Sequence, residues 1–515
     1  MNDKLKTMSP KDANSKAQIT ISEFDHQAPV NYVSDGSQEQ ARQYADRESG
    51  LGNKLSTLGA IALGYTSLSS WIAYSASAAT ALASGGANVL VWGMIIVGIC
   101  NMAAAVTIAE PASQFPNASG QAAWVYRLHG RFLSYLTSWT VLLGYVLLSV
   151  AAQLITTTIL LAMINLTFPD YVIETWHVSV SIIVTAAFAF LVAGIASKLV
   201  SRLNFALVDI TNVSGWGNNF IPWVLGLSQA ALSTTALDVP THFSEEMANP
   251  SKQVPIAIFG ALATSIVITL AYAFLLVFTL PGLQDIITTS TGFPFAEILR
   301  IKTTRSGAIV LLLIPLVSFL ITSADVAMAA SRCIYGFSRQ RGFPFSSFFG
   351  KVNKKFDSPL AAGLLVFFCQ SCIGCIYIGN TAAFTAIISV PTLLLAVSYS
   401  IVAFVCLGAR RRGGSERRPG GSMGKVIHDG MASDASEGDS AWDPPYKMPK
   451  WFTISANILT IVFTVLLCLF LSLPPVWPVT SANMNYTSAI LIGSFLIPAL
   501  CWIRYGKVYQ GPLVH

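Results

Sequence analysis

The sequence predicts an all-α polytopic membrane protein, and three observations carry that expectation. Only 11% of the 515 residues are charged while 53% are hydrophobic, whereas a soluble globular domain carries about 25% charged residues. The charge is concentrated in Met1–Lys54, in Arg410–Lys450 and in short connections. Between these lie apolar runs of about 20 or more residues, long enough to cross a hydrocarbon core about 30 Å thick as helix.

Taken in order, residues 1–56 are polar and mixed in charge, which predicts a disordered cytosolic tail. No short apolar region follows basic residues there, so no cleavable signal is expected, and the first apolar run can serve as the insertion signal. Eleven spans follow, at 58–83, 88–109, 133–163, 176–198, 222–243, 254–280, 308–334, 359–379, 381–408, 450–473 and 486–504. Breakers separate them, among them Gly85-Gly86, Pro116, Pro169, Pro281-Gly282, Pro344 and Pro474-Pro475. The expected organisation is a tail 1–56, four spans in 57–200, a short connection 201–221, further spans in 222–408, a flexible cytosolic loop 409–449, two last spans in 450–505 and a tail 506–515.

The net charge of +6 matters less than its placement. Arg127 and Arg131 form one basic loop, Arg339, Arg341, Lys351, Lys354 and Lys355 a second, and Arg410, Arg411, Arg412, Arg417 and Arg418 a third. The positive-inside rule turns all three to the cytosol and explains them without nucleic acid. Sequons at Asn165 and Asn485 fall in predicted outside loops close to the membrane. Cys369, Cys372 and Cys375 have the spacing of a metal half-site, but they fall within one span with no nearby histidine, and packing is the favoured reading.

Two spans are unusual. The first, GYTSLSSWIAYSASAATALASGG, and the fifth, LGLSQAALSTTALDVPTHFSEEM, are crowded with Ser, Thr and Ala. Hydroxyls can satisfy backbone groups freed where a membrane helix unwinds, and paired interrupted helices point to a midplane substrate site. The bland alternative is that small residues permit close packing. Asp238 is the most informative residue, because a carboxylate inside a span is expensive. It is either the cap of a half-helix opening at Pro240 or a ligand or proton group in a cavity within reach of the first span, and both roles can hold together. His242, one turn on, is a structural hydrogen-bonding residue or a relay partner. Asp325, ahead of Arg332, suggests an ion pair between neighbouring helices, with ion coupling as the alternative. Glu110, Glu245 and Glu246 end their spans at the cytosolic side and are expected to touch gates or basic loops.

The run TTALDVPTHFSEEMANPSKQVPIAI resembles the sixth-helix signature of the amino acid–polyamine–organocation superfamily, and within it the fungal branch of amino-acid, γ-aminobutyrate and choline permeases. The segments GGANVLVWG, AEPASQFPNASGQAAWVYR and SRCIYGFSRQRGFPFS support the resemblance, which covers about residues 55–505. It implies a leucine-transporter-type core of two five-helix inverted repeats plus two further helices. It also implies a first-helix break around Thr66, Ser67, Ser69, Ser70 and Trp71, and a sixth-helix break around Ser233, Thr234, Thr235, Ala236, Leu237 and Asp238. Backbone N–H groups exposed at such breaks would bind a substrate carboxylate.

The chain departs from the family pattern in three places. Ala236 stands where glycine is common. Gln340-Arg341 replaces the usual Asp-Gly. The family's fifth helix is missing: between Arg202 and Ile221 the longest apolar run is Phe205–Val208, far short of the roughly 20 residues a span needs. An extended or irregular stretch is expected over 203–221. The functional expectation is therefore a secondary carrier, driven by protons, for an amino acid, γ-aminobutyrate, choline, a polyamine or a similar solute. Trp71, Tyr74, Phe243 and Asp238 suit either an amino acid or choline. The plasma membrane is the expected site, a vacuolar or other internal membrane the alternative. A non-transporting or poorly coupled form or sensor lacking helix five is the competing reading. No P-loop, zinc motif or nucleophile elbow is visible, so neither an enzyme nor a cofactor is expected.

Overall fold

The computed structural model describes residues 55–78, 81–82, 86–195, 227, 229–279, 293–353, 358–379, 381–413, 444–473 and 485–511. The tail before residue 55, most of the 409–449 loop and the whole 203–221 stretch lie outside these residues, and with them the expectations for the tail, the loop and helix five.

The first predicted span is two helices, α1 (Thr57–Leu68) and α2 (Ser70–Ala76). Ser56 caps α1, its hydroxyl accepting from Gly59 N at 3.1 Å. Between them Ser69 sits in the left-handed region at φ 37°, costly for a residue with a Cβ. Thr66 O, left at the break, accepts from the Ser69 hydroxyl, while Thr66 donates to Ala62 O and Leu63 O and Ser67 to Leu63 O within the last turn of α1. Small residues here also permit close packing. A Cβ on Gly64 would lie 2.8 Å from Ala261 Cβ and 3.0 Å from Pro240 Cγ. Gly64→Ala is expected to push α1 off its neighbours and destabilise the protein by about 1–3 kcal/mol, read as a lowered melting temperature in detergent.

The long helices follow the predicted spans: α3 (Gly86–Gln114), α5 (Arg131–Thr167), α6 (Thr175–Ile195), α8 (Pro250–Thr279), α10 (Arg305–Arg339), α12 (Leu360–Gly379), α13 (Thr381–Gly413), α14 (Lys450–Phe470) and α15 (Thr487–Tyr505). Eight helices among the described residues are long and apolar enough to cross a membrane, with α6 falling just short over its apolar part. Short helices lie between them: α4 (Gln121–Leu128), α7 (Val239–His242), α9 (Pro294–Lys302) and α11 (Ser346–Phe349). Helix α10 packs along α5 and α6, α8 along α3 and α1, and α13 along α5 and α14.

Lipid as solvent inverts the usual amphipathic pattern. On α14 the outward face carries Ile458, Val462, Val465 and Leu469, while Thr453, Asn457, Thr460 and Thr464 are buried. Polar groups face the protein because only there do they find partners: Thr464, for example, donates to Ala396 O of α13.

Three local readings need correction. Arg127 is on the helix α4, not in a loop. Asn165 lies in the last turn of α5, donating to Tyr171 O. Asn485 does lie outside the helices, donating to Leu471 O and Leu473 O while Thr487 donates to its side-chain oxygen. The packing reading of the cysteines holds only for half-buried Cys369, since Cys372 and Cys375 are exposed along α12.

After α15 the chain lies back over the ends of α5 and α10. Tyr509 is fully buried. Its hydroxyl donates to Gln340 Oε1 at 3.1 Å and meets Ser134 Oγ at 2.8 Å. Gln510 N donates to Gln340 O, and Arg131 donates to Gly506 O and Tyr509 O. Burial pushes the Tyr509 hydroxyl up to about 12, so it remains a donor across the neutral range. Gly511 closes this strap at φ 77°, where a Cβ would fall 2.2 Å from the Tyr126 ring. Gly511→Ala is expected to detach the strap, seen as faster proteolytic loss of the C-terminal residues.

Candidate functional site

Two interruptions define the site. The second lies between a helical turn at 229–233 and α7, with turn conformation over 234–238. Ala236 has φ 73°, a conformation in which glycine would sit without strain. Arg341, the other residue standing where the family pattern has glycine, is likewise left-handed at φ 55°. Hydroxyls again serve the interrupted ladder, Ser233 and Thr234 donating to Ala230 O and Thr235 to Ala231 O.

All the site residues read from the sequence are buried, but their polar groups go to different neighbours. At the first break Thr66 donates to Asp325 Oδ2 at 2.7 Å, Thr322 donates to Thr66 O at 3.0 Å, and the hydroxyls of Ser69 and Ser70 meet Thr322 and Ser265. Those partners stand on α10 and α8. At the second break Asn101 of α3 donates to Thr234 at 2.5 Å and Thr235 donates to Thr392 of α13 at 3.3 Å. A small cavity lies against this break, lined by Asn101, Thr234, Thr235, Thr392, Thr460 and Thr464 among others. It opens between α3, α13 and α14 rather than toward the first break. Beside the two breaks α1 passes α7 closely, a Cβ on Gly64 falling 3.0 Å from Pro240 Cγ.

Asp238 is placed at the break as expected, but its partners are not those expected. It occupies the cap position of α7, yet its side chain makes no capping bond. Nor does it reach α1. Its Oδ2 accepts from Gln121 Nε2 of α4 at 2.6 Å, and its Oδ1 accepts from Tyr145 of α5 at 2.8 Å and from Tyr399 of α13. His242 Nε2 lies 3.1 Å from Oδ2. A fully buried carboxylate is tolerable only with such a ring of donors. Sequence reasoning missed Gln121, Tyr145 and Tyr399. A tyrosine inside an apolar run reads as core, and its only signal is a hydroxyl that must find an acceptor there.

The histidine contacts fix a proton count. His242 Nδ1 is 3.0 Å from Ala118 O, and a carbonyl only accepts, so Nδ1 carries hydrogen. The Nε2–Oδ2 contact then needs a further proton, on the ring or on the carboxyl. The pair holds one proton more than an aspartate and a neutral imidazole would, and it titrates as a unit. Cys333 Sγ lies 3.8 Å from the ring.

Asp325 is not paired with Arg332. Its Oδ2 is held by Thr66, and Oδ1 has no partner among the described residues. Arg332 instead binds Glu246 through Nε at 2.8 Å and Nη2 at 2.5 Å, with its guanidinium 4.0 Å from the centre of the Phe243 ring. Glu246 is nearer in space, on the turn directly after α7, and its pairing removes the charge Asp325 would need. Glu245 binds Arg339 at 3.3 Å. Glu110 binds Arg410 and accepts from Thr453 at 3.1 Å. Glu110 thus ties the end of α3 to α13 and α14, while Glu245 and Glu246 tie the turn after α7 to α10.

The chain is 28% identical over 498 residues to the choline transporter of Saccharomyces cerevisiae, covering 90% of this chain and 83% of that one. It is 24% identical over 484 residues to the swainsonine transporter of Arthroderma benhamiae, covering 88% of this chain and 90% of that one. It is 24% identical over 486 residues to amino-acid permease 2 of Neurospora crassa, covering 87% of this chain and 83% of that one. A family model described as amino acid permease matches residues 55–214 and 208–495. With both interrupted helices inside that match, the chain belongs to the amino acid permease family.

Proposed function

We propose that this protein is a secondary transporter that carries a small nitrogenous solute across a membrane by alternating access. The observation that carries the proposal is the pair of helix breaks in an otherwise continuous bundle, one of them holding a buried carboxylate. The substrate class is an amino acid, γ-aminobutyrate, choline or a polyamine, in keeping with the names of the relatives. The solute lies between the breaks around Thr66–Trp71 and Ser233–Asp238 when the cavity is open to it. The buried indole N–H of Trp71 and Oδ1 of Asp325, neither with a partner among the described residues, supply a donor and an acceptor there. The transferable proton of the Asp238–His242 pair is the coupling ion's site, and Asp325 is a second candidate. The arginine-rich end faces the cytosol, with the N-terminus, in the plasma membrane.

Uptake of labelled amino acids, γ-aminobutyrate, choline and polyamines into permease-deficient cells tests the proposal. Accumulation above the outside concentration that collapses with a protonophore is the expected result. Downhill movement indifferent to protonophore would remove the coupling, and no uptake of any solute would remove the transport. The second reading, a form without helix five that couples poorly, is favoured by the split of the family match at 208–214, inside the stretch too polar to span. Protonophore-insensitive equilibration of a solute is the outcome that selects it.

A further inference from the structure

We propose that the segment Ala118–Leu128 is a plug at the cytosolic end of the site whose hold depends on the proton shared by Asp238 and His242. The inference rests on the proton-coupled transport proposed above and names the element that reads the proton.

Two side-chain bonds tie the plug to the pair. Gln121, the first residue of α4, donates to Asp238 Oδ2 at 2.6 Å. Three residues earlier, Ala118 O accepts from His242 Nδ1 at 3.0 Å. Gln121, Ala122, Ala123 and Trp124 are buried, whereas Arg127 and His129 at the far end are exposed. The segment therefore enters from one end of the bundle and stops at the pair. A Cβ on Gly120 would lie 2.9 Å from Thr241 Oγ1 and 3.3 Å from His242 Cε1, so the backbone itself seals against α7.

Loss of the shared proton cannot leave both bonds in place. With the remaining hydrogen on Nε2, the bond to Asp238 survives as a charge-assisted one, the stronger of the two. Nδ1 then presents a lone pair to Ala118 O at the same 3.0 Å, and attraction becomes repulsion. With the hydrogen on Nδ1, two acceptors face each other across the 3.1 Å Nε2–Oδ2 contact. The first outcome is favoured, and it loosens the plug. A small cavity beside the ring, lined by Ser119, Ser138, His242, Cys333 and Gln340, gives the proton a first step outward. These hydroxyl and amide groups lead from the pair toward the arginine-rich end. The other titratable groups reaching the pair are Tyr145 from α5, Tyr399 from α13 and Cys333 from α10. Arg332 and Arg339, also on α10, are engaged by Glu246 and Glu245.

Hydrogen–deuterium exchange of the full chain in detergent tests this, with the peptide covering residues 115–128 followed from about pH 5 to about pH 9 and corrected for intrinsic exchange. Opening is expected to become about two- to tenfold more frequent as the pair loses its proton, the equivalent of one net hydrogen bond. His242→Gln is expected to abolish that pH dependence. Gln121→Leu is expected to raise opening at every pH and keep the dependence. A wild-type peptide whose protection ignores pH overturns the plug, and so does a dependence that survives in His242→Gln. Uptake measured in parallel separates the two proposals. Transport with pH-indifferent protection sinks only the plug, and a pH-dependent plug in a chain that moves no solute supports the plug and sinks the transport.

Discussion

Asp238→Asn is expected to lower solute uptake by about 10- to 100-fold, the loss of one hydrogen bond to a charged group, with the amount of protein in the membrane unchanged. The carboxylate accepts at both oxygens from three side chains on three helices besides meeting His242. An asparagine has the same shape, but one of its termini donates, and that terminus meets either Gln121 and His242 or two tyrosine hydroxyls. The tyrosine hydroxyls can rotate, the Gln121 amide can turn because its Oε1 has no partner among the described residues, and His242 can accept at Nε2 while keeping its bond to Ala118 O, so the variant is expected to fold but to lack the charge and the transferable proton. Tyr145→Phe and Tyr399→Phe are expected to cost about two- to tenfold each. Uptake by Asp238→Asn equal to wild type, normalised to surface protein, would remove the residue from the transport cycle.

The largest stability effect is expected at Arg332. Its guanidinium is buried, binds Glu246 through two nitrogens and covers the Phe243 ring. Arg332→Ala strands the Glu246 carboxylate with no other ion-pair partner among the described residues and is expected to destabilise the protein by about 3–5 kcal/mol. The double variant Arg332→Met with Glu246→Gln removes both charges and is expected to regain most of that loss. Thermal unfolding in detergent measures both. If the two single replacements and the double one lower the melting temperature additively, the pair contributes no interaction energy and its position at the foot of α7 is incidental.

The spans were legible in the sequence because lipid imposes one rule on every residue within it, an apolar run of sufficient length. The helix ends at Arg131, Arg305 and Lys450 fall within three residues of the expected span starts at 133, 308 and 450. Both breaks were legible too, since hydroxyl-rich runs with an acid and a proline have few other uses in a membrane helix. The partner of each charged group was not. Asp325 and Arg332 are seven residues apart and look like a pair in one dimension, yet Arg332 reaches Glu246 while Asp325 takes a hydroxyl from α1. Helix α4 was hidden for a different reason. Its run QAAWVYRL is short, and two arginines near it satisfy the rule for a cytosolic loop, so nothing marks its buried face. That face carries Gln121, and with it the connection from Asp238 to the end of the bundle.

The strap over α5 and α10 has a consequence in time. The contact between Ser134 and Tyr509 spans 375 residues, which at about 5–20 residues per second separates their synthesis by roughly 20–75 s. For that interval the rings of Tyr126 and Tyr135, and that of Phe337 once it is made, all of which Tyr509 meets edge-on, are without the ring that covers them. Nascent chains thus expose an aromatic surface at one end of the bundle until Tyr509 arrives. A cell that surveys unfinished membrane proteins has a definite feature to recognise there, and variants of Tyr509 are expected to be lost at that step, read as less full-length protein in the membrane.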